Sequence, residues 1–366
     1  GPSCLYAQEL FETRFRERQQ DGASRLDVVI PVYRGLEETR VCIGSVIESE
    51  SFENMRLRIY NDCSPEPEVT SYLRRLASEY PQIILVENQE NQGFVGTVNS
   101  AMRAAMDSED FTAVVLLNSD TQVANDWLWR LHWHARAEER VASVTALSNN
   151  ATICSYPHLG ANEMPAGMSL ADLDALASSA NAGMSVDVPT GVGFCMLITR
   201  QALEEIGLFD QDAFGRGYGE ENDFCMRALQ AGFRNLLALD VFVRHVGEVS
   251  FAETSKPGKI VAERVLTTRH PDYAVRVGTF IARDPSLTAR LRLTFSRWRA
   301  SAETVHVLFT HALGGGTERY VGEEASRLSG EGPVVVIRPA KNHKNRIRIE
   351  SVTSFDGFDV EVSVED

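Results

Sequence analysis

The chain has 366 residues, of which 43% are hydrophobic, enough for two domains or for one large α/β domain with an appendage. Its 36 basic and 51 acidic residues leave a net charge of −15. This charge argues against a general nucleic-acid binder, which needs a basic face for phosphates. No apolar run reaches the ~18 residues that span a bilayer. The six scattered cysteines form no CxxC pair, which argues against a zinc site and fits a reducing cytosol.

The first half of the chain alternates between predicted strands and predicted helices. Residues 1–25 come first and predict an amphipathic helical arm, because apolar residues recur there at helical spacing. Four strands are then predicted in "LDVVIPVYRG", "RLRIYND", "QIILVEN" and "FTAVVLLNSD", and three helices over 37–50, 67–80 and 93–106. The fourth strand is apolar throughout, which predicts a central position covered on both faces. Strands that alternate with helices indicate a parallel α/β sheet.

After residue 150 the alternation stops. Residues 155–185 are rich in Pro, Gly, Ser and Ala, which predicts a loop over a site with one short helix near 170–179. The stretch "VDVPTGVGFCMLITR" predicts a return to strand, and "QALEEIGLF" a short helix. A helix over 221–233 and a last strand over 235–247 complete this part.

The C-terminal third divides into two predicted parts. Residues 255–300 are predicted to be helical, with an apolar stripe flanked by arginines. We interpret it as a helix packed on its domain; the alternative is a basic amphipathic surface in peripheral contact with an anionic membrane. The stretch "TVHVLFTHALGGGTERYVGEEASRL" then predicts a new unit of strand, glycine-rich turn and helix, followed by strands in "PVVVIRP" and "FDVEVSV".

Polar groups follow the predicted strands at the points where they end. They are Asp62, Asn91-Gln92-Gly93, Asn118-Ser119-Asp120 and His245. Asp and Asn often cap helices or turns, so each could be structural. In a doubly wound sheet, however, ligands bind at the carboxyl ends of the strands. All four groups fall at that one edge, which favours a binding site.

A second cluster lies in "GYGEEND", where Glu220, Glu221 and Asp223 fall within four residues behind three glycines. Like charges this close repel unless a cation, a proton or a substrate hydroxyl balances them. Acidic residues also favour the first turn of a helix, where the helix dipole stabilises them. The pattern alone leaves a helix cap and a catalytic carboxylate equally open.

Six stretches, in order, resemble one known family. They are "VVIPVYRG", "YNDCSPE", "ENQGFVGTVNSAM", "LLNSDT", "TGVGFCMLITRQALEEIGLFDQDAFGRGYGEENDFCMRALQAGF" and "VFVRHVG". Over about residues 26–250 the chain resembles the GT-A-fold glycosyltransferases of family 2, of the bacterial O-antigen and polysaccharide type. The resemblance implies an α/β fold with a Rossmann-like, mostly parallel central sheet and an acceptor-side subdomain.

The resemblance also implies roles for single residues. Asp62 matches the aspartate that hydrogen-bonds the nucleotide base, and Asp120 matches the metal-binding end of the DxD motif, with Asn118 in place of the first aspartate. His245 matches a late histidine that is often a further metal ligand. Glu220 and Glu221 match the catalytic pair, with Glu221 at the position of the base. Further nucleotide contacts are implied for Pro31, Tyr33, Gly93, Asn99 and Ser119.

The acceptor side is predicted with less detail. Asn149 and Asn150 lie beside the predicted site and are candidates for contact with a sugar, although a structured polar turn explains them nearly as well. Thr190 and Gly191 begin the strand that resembles the family's acceptor-side element, where small residues let a sugar approach the backbone. Asp223, in the acidic cluster, is a further candidate for acceptor binding.

These roles predict an inverting, metal-dependent sugar transfer. A divalent cation held by Asp120 and His245 would neutralise the diphosphate that leaves with the nucleotide. Oxygen ligands with one imidazole suit Mn²⁺ or Mg²⁺. A carboxylate takes the proton of the attacking hydroxyl, so one displacement inverts the anomeric centre and no covalent nucleophile is needed.

The sequence therefore predicts an enzyme that transfers a sugar from a UDP, dTDP or GDP donor to a bacterial surface glycan. We expect a lipid-linked acceptor at the cytoplasmic face of the inner membrane. The alternatives are a nucleotidyltransferase, disfavoured because "PVYRGLEETR" carries only two arginines, and a non-catalytic glycan-binding or scaffold module.

Four domains or segments are predicted along the chain. They are the helical arm 1–25, a GT-A domain over 26–250, a helical linker over 251–302, and a last segment over 303–366. The GT-A domain is divided into a nucleotide-binding half, 26–150, and an acceptor and catalytic half, 151–250. The last segment resembles the start of a GT-B glycosyltransferase of family 4 type, cut short.

Overall fold

A computed structural model of the chain describes residues 26–247, 255–301, 304–341, 344–352 and 357–363. These residues form two compact units, 26–290 and 291–363. The N-terminal arm predicted over 1–25 lies outside the described residues. None of the helices in the described ranges is long and apolar enough to cross a membrane.

The first unit is built on a nine-stranded sheet with the order β3-β2-β1-β4-β8-β6-β9-β5, and β7 pairs with β9 beside this path. The strands are β1 (Leu26–Val32), β2 (Met55–Asn61), β3 (Ile83–Glu87), β4 (Ala113–Leu117), β5 (Thr121–Gln122), β6 (Val141–Ser148), β7 (Ser185–Asp187), β8 (Cys195–Thr199) and β9 (Arg234–His245).

The helices of this unit connect and cover the strands, and those that the sequence predicts agree with the structure within a few residues. They are α1 (Leu36–Glu48), α2 (Pro67–Glu79), α3 (Gly93–Met106), α4 (Trp127–Ala137), α5 (Leu170–Ala180), α6 (Arg200–Ile206), α7 (Gln211–Phe214), α8 (Glu220–Gln230), α9 (Ser255–Arg269) and α10 (Tyr273–Arg283). Helix α11 (Leu287–Ser301) follows, so the predicted helical stretch over 255–300 consists of three helices.

Strand direction decides which loops share an edge. Strands β1 to β4 pair in parallel, β8 runs antiparallel between β4 and β6, and β9 runs parallel to β6. The carboxyl ends of β2, β4, β6 and β9 therefore lie at one edge. The mostly parallel α/β sheet is confirmed, and the strand ends that carry Asp62, Asp120 and His245 share that edge.

The core of the unit lies on both faces of the central strands. All five residues of β4 are buried, as its uninterrupted apolar sequence predicts. One face is covered by α3 and α8, whose Val98, Met102 and Phe224 are fully buried in one cluster with Met196 of β8. The two helices that carry the candidate functional loops at their N-termini are thereby fixed to the sheet.

The structure differs from the sequence prediction at three strands, of which the two-residue β5 was not predicted. The strand predicted over 186–200 is two strands, β7 and β8, with a loop over 188–194 between them. Strand β6 was not predicted, although all eight of its residues are buried. Its sequence "VASVTALS" is an apolar run with small polar residues, and that run is the signal that could have identified it.

The second unit contains a four-stranded sheet and one helix on it. Its elements are β10 (His306–Phe309), α12 (Gly316–Leu328), β11 (Val334–Pro339), β12 (Arg346–Ser351) and β13 (Asp359–Ser363), with sheet order β10-β11-β12-β13. The predicted strand, glycine turn and helix are confirmed, and β10 pairs in parallel with β11. Strand β12 was not predicted, and it makes the rest of the sheet antiparallel.

Part of the apolar stripe of α11 is packed inside this second unit. Trp298 is buried, and its ring stacks on Phe358 with the centroids 5.9 Å apart. Phe295 meets the same ring edge-on at 6.1 Å. The interpretation of this helix as a packed element therefore accounts for both aromatic residues.

Candidate active site

Asp120 and His245 face each other at the edge of the sheet. Strand β4 ends at Leu117, and the chain turns through Asn118 and Ser119 before β5, which pairs antiparallel with β9 so that Thr121 lies opposite His245. One carboxylate oxygen of Asp120, Oδ1, lies 3.5 Å from Nε2 of His245. The other, Oδ2, accepts the backbone N–H of Gly247 at 3.1 Å.

The imidazole of His245 is held in one orientation. Its Nδ1–H donates to the backbone carbonyl of Asn150 at 2.6 Å, so Nε2 is the nitrogen that faces Asp120. The ring also stacks on Phe194, with the centroids 5.1 Å apart. Burial disfavours the charged imidazole, but the hydrogen bond and the charge of Asp120 outweigh it, so the pKa of His245 is raised.

This pair fits a divalent cation. A metal-binding histidine usually donates its second ring N–H to a carbonyl or carboxylate, as His245 does to Asn150. Within the described ranges no three His, Cys, Asp or Glu side chains form a metal-binding group, so the described residues offer two ligands here, Asp120 and His245. Mg²⁺ and similar cations commonly bind to one or two protein ligands and take the remaining oxygens from substrate phosphates and water.

Asp62 anchors the loop that leads into α3. It follows β2, and its Oδ1 accepts from the side chain of Asn88 and from the backbone of Gln92, each at 2.8 Å. Its Oδ2 accepts the backbone N–H of Gly93 at 2.9 Å. A carboxylate has about four acceptor positions, so one remains for a ligand after these three bonds.

The other residues predicted to contact a nucleotide are divided between the edge and the core. Pro31 lies near the end of β1 opposite Tyr60, and Tyr33 follows it with the guanidinium of Arg34 over its ring. Asn118 is half-buried and Ser119 is buried, both directly after β4. Asn99 is different: its side-chain amide exchanges two hydrogen bonds with the backbone of Phe209, so its polar atoms tie α3 to the segment before α7.

The acidic loop, residues 215–221, leads into α8 and carries Glu220 and Glu221. Gly217, Tyr218 and Gly219 have φ values of 150°, 75° and 86°, which turn the chain so that Glu220 starts the helix. Glu220 is 4% exposed, and its Oε2 has no hydrogen-bond partner among the residues that the structure describes. Glu221 is half-buried.

Both glutamates are shifted toward the protonated form. Burial and the neighbouring charge of Glu221 raise the pKa of Glu220 well above its usual range. Burial also raises the pKa of Glu221, although backbone N–H groups at the helix start oppose this. Carboxylates whose pKa values are raised by burial and a like charge are typical of groups that exchange protons in catalysis.

The acidic loop contacts, through Arg216, the loop over 88–93 that Asp62 anchors, here called the donor-side loop. The carbonyl of Arg216 accepts the backbone N–H of Phe94 at 3.0 Å, and its guanidinium donates to the carbonyl of Asn91 at 3.2 Å. Gly93, with φ of 74°, lies directly beneath it: a Cβ added there would come within 2.9 Å of the Arg216 side chain. The loop fixed by Asp62 therefore supports the loop that carries Glu220 and Glu221.

The loop over 188–194 connects the acidic loop to the Asp120–His245 pair. Thr190 donates through its hydroxyl to Asn222 of α8 at 2.6 Å, while Phe194 stacks on His245. Because Thr190 and Phe194 are four positions apart, their Cα atoms lie within about 14 Å of each other. One short loop therefore contacts both α8, next to Glu221, and the imidazole of His245.

The position of Gly191 has no room for a side chain, and the sequence alone did not show this. A Cβ added at Gly191 would lie 2.6 Å from Oγ1 of Thr145 in β6, so the glycine allows the loop to pack on the sheet. Its backbone N–H also donates to Sγ of Cys225 at 3.2 Å.

Three residues predicted to contact the acceptor are committed to internal bonds. Asn149 donates to the carbonyl of His245 at 3.0 Å and accepts its N–H at 2.9 Å, and Asn150 donates to the carbonyl of Val246 at 3.3 Å. The structured polar turn is therefore present. Asp223 is buried and binds Arg227 at 2.7 Å and the Nε2–H of His270 at 2.9 Å. His270 follows α9, 47 residues from Asp223, and nothing in the sequence pointed to this pair.

Residues 27–207 match the family model described as Glycosyl transferase family 2. This match covers just under half of the chain. The matched residues include Asp62 and Asp120 and end before the acidic loop and His245.

Two solved structures resemble the chain in fold. One is the mannosyltransferase PcManGT from Pyrobaculum calidifontis in complex with GDP-Man and Mn²⁺, with a TM-score of 0.50 and 16% identity over 89% of this chain and 88% of that chain. The other is GalNAc-T7 with UDP, GalNAc and Mn²⁺, with a TM-score of 0.50 and 14% identity over 93% of this chain and 69% of that chain. The central sheet thus has the GT-A fold.

A curated relative matches a smaller part of the chain. The uncharacterized protein y4gI of Sinorhizobium fredii (strain NBRC 101917 / NGR234) is 27% identical over 111 residues, which are 30% of this chain. The chain spans 12% of the length of that relative.

Proposed function

We propose that the chain is a glycosyltransferase that moves a sugar from a nucleoside-diphosphate donor to a hydroxyl acceptor. The observation that carries this proposal is the convergence of two groups at one edge of the sheet. The Asp120–His245 pair fits a cation at a diphosphate, and the loop over 188–194 contacts both this pair, through Phe194, and α8, whose first residues are Glu220 and Glu221. The family 2 match and the GT-A fold support the same activity.

The donor site extends from Asp62 to Asp120 along the edge. Asp62 keeps one acceptor position for an N–H of the nucleotide base, and Pro31, Tyr33 and Ser119 are further proposed nucleotide contacts. Asp120 and His245 would hold Mn²⁺ or Mg²⁺, which supplies charge neutralisation to the departing diphosphate. Mn²⁺ accompanies the nucleotide or nucleotide sugar in both similar structures, with GDP-Man in one and UDP in the other.

Glu221 acts as the base. Glu221 is half-buried and is thus the more exposed of the two residues, since Glu220 is 4% exposed, and this favours Glu221 as the carboxylate that meets the acceptor hydroxyl. Burial raises the pKa of Glu221 and brings it closer to neutral pH, where a base accepts a proton most effectively. The ionised Glu221 takes the hydroxyl proton as the oxygen attacks C1 of the sugar opposite the diphosphate, which inverts the anomeric centre.

The biological setting is part of this proposal. We infer a bacterial surface polysaccharide as the acceptor, Thr190 and Gly191 as acceptor-side groups, and action at the cytoplasmic face of the membrane. Unit 291–363, with its parallel β10 and β11 and the intervening α12, is proposed as the start of a GT-B-like domain.

A turnover assay tests the proposal. The chain is incubated with UDP-, dTDP- and GDP-sugars with and without Mn²⁺, and release of nucleoside diphosphate is measured for the wild type, Glu221→Gln and Glu79→Gln. Glu79 ends α2 at the opposite edge of the sheet and is exposed, so it is the matched control. We expect Mn²⁺-stimulated turnover of one donor that Glu221→Gln abolishes and Glu79→Gln leaves intact. Turnover of no donor would favour a non-catalytic glycan-binding module.

A further inference from the structure

Strand β9 contains a three-residue bulge, which ends four positions before His245. Strands β6 and β9 pair Ala146 with Ala238, and the next pair is Leu147 with Phe242. Three residues of β9, over 239–241, therefore have no partner in β6. Beyond the bulge β9 continues to β5, where His245 lies opposite Thr121. A change of one residue in this register would move His245 by about 3.3 Å and turn its side chain to the other face.

The bulge is held in place by its middle residue, Asp240. The carboxylate of Asp240 accepts from Nε2–H of His134 at 2.7 Å and from the backbone N–H of Gly183 at 2.9 Å. Its backbone carbonyl accepts a hydrogen bond from the guanidinium of Arg130. Asp240 is fully buried, so each of these bonds replaces water that cannot reach it.

Arg130 also joins the bulge to the residue that follows it. It forms a bidentate ion pair with Asp174 of α5, and Oδ1 of Asp174 accepts the backbone N–H of Phe242 at 2.8 Å. Arg130 is 1% exposed and Asp174 is 0% exposed. One ion pair thus fixes both the middle of the bulge, through the carbonyl of Asp240, and the first residue after it, through the N–H of Phe242.

We propose that the buried Arg130–Asp174 pair is a positioning device for the metal ligand His245. It sets the shape of the β9 bulge, and the bulge sets the register that brings Nε2 of His245 to Asp120. The inference rests on the proposed function, because it assigns the pair a role at the cation site. Neither Arg130 nor Asp174 touches the substrate or the cation; both act through His245.

The expected effect follows from outer-shell residues at metal sites, whose loss typically weakens metal binding about 10- to 100-fold. The substitution Asp174→Asn keeps the shape of the side chain but leaves Arg130 without its bidentate partner. Asp27→Asn is the matched control, because Asp27 is a buried aspartate that pairs with Arg58 and Arg56 between β1 and β2. Loss of either ion pair lowers stability, but only the first loosens β9.

The test measures Mn²⁺ affinity by electron paramagnetic resonance with UDP or GDP present. The proteins compared, each in its folded form, are the wild type, Asp174→Asn, Asp27→Asn, His245→Ala and the double variant Asp174→Asn/His245→Ala. We expect Asp174→Asn to weaken Mn²⁺ binding about 10- to 100-fold and Asp27→Asn to change it less than about twofold. In the His245→Ala background Asp174→Asn should have no further effect, because the pair acts only through that imidazole. Equal affinities for Asp174→Asn and wild type, or additive losses in the double variant, would overturn the proposal.

A metal-free measurement separates this proposal from the proposed function. The imidazole resonances of His245 report its hydrogen bond to Asn150 by NMR. Asp174→Asn should shift them and Asp27→Asn should not, whether or not the wild type binds Mn²⁺. If Asp174→Asn fails to fold, Asn125→Ala is the milder variant, because Asn125 donates to Oδ2 of Asp174 at 2.8 Å. Unchanged His245 resonances in both variants would overturn the positioning role, while absent Mn²⁺ binding in the wild type would overturn only the proposed function.

Discussion

Replacing Gly93 by alanine tests how the donor-side loop supports the acidic loop. Gly93 has φ of 74°, and an added Cβ would lie 2.9 Å from both Cβ and Cγ of Arg216 and 3.1 Å from its Cα. The left-handed backbone costs a residue with a side chain about 1–2 kcal/mol. Overpacking against a neighbour that cannot move freely costs about 1–3 kcal/mol more. We therefore expect Gly93→Ala to lower the free energy of unfolding by about 2–5 kcal/mol.

The same change should lower turnover. The N–H of Gly93 bonds to Asp62 and the N–H of Phe94 bonds to the carbonyl of Arg216, so the added methyl group forces the two loops apart at their contact. The loop that carries Glu221 then moves relative to the donor. We expect kcat to fall, since a displacement of about 1 Å at a reacting group can cost about 100-fold.

Denaturant unfolding and steady-state kinetics measure these effects, with Gly160→Ala as the control. Gly160 also has a positive φ, 98°, but a Cβ there would have no atom within 4 Å. It therefore isolates the backbone cost of about 1–2 kcal/mol. The double variant Gly93→Ala/Arg216→Gly removes the clashing side chain and should recover part of the stability. Equal losses for Gly93→Ala and Gly160→Ala, with no recovery in the double variant, would refute the steric explanation.

Three further predictions concern single groups in the site. Glu221→Gln should lower kcat about 100- to 10,000-fold. Mn²⁺-dependent nucleotide binding, measured by calorimetry, should stay unchanged. A loss of nucleotide binding in this variant would contradict the role of Glu221 as the base. Glu220→Gln should raise the free energy of unfolding at neutral pH. Because the pKa of Glu220 is raised in the folded protein, the folded protein keeps a proton that the unfolded chain has lost. The stability of the wild type therefore falls as the pH rises from the usual carboxyl range to the raised pKa. Denaturation from pH 4 to 8 checks this, and an unchanged pH profile would contradict it. Gly191→Ala should lower Tm, because the added Cβ would lie 2.6 Å from Oγ1 of Thr145. The double variant Gly191→Ala/Thr145→Ala should restore Tm. A double variant with the lowered Tm would show that the strain arises elsewhere.

The sequence predicted the part of the fold that local patterns determine. Helices α1, α2 and α3 begin within a residue of the predicted positions, because glycine or proline and a change of periodicity mark their starts. Strand direction is not a local property. The antiparallel β8, inserted between β4 and β6, could not be predicted from its apolar sequence, since buried strands of either direction have the same composition.

The sequence predicted those residues of the candidate site that follow the ends of strands. It predicted less well the roles of residues whose hydrogen-bond partners are distant in sequence. Asp62, Asp120 and His245 are chemically distinctive and lie at the ends of buried strands, so their common edge was predictable. The roles of Asn149 and Asn150 in holding His245 depend on the register of β9, which is set by the bulge over 239–241. A bulge formed by contacts between distant segments leaves no local pattern, so these roles could not be predicted.

The measurement that tests the proposed donor site most directly is nucleotide binding by calorimetry. UDP, dTDP, GDP and CMP compounds are titrated, with and without Mn²⁺, into the wild type and Asp120→Ala. We predict Mn²⁺-dependent binding of one nucleoside diphosphate that Asp120→Ala abolishes, because Asp120 and His245 are the two protein ligands proposed at the sheet edge. Binding of no nucleotide, or equal binding by Asp120→Ala, would contradict this donor site.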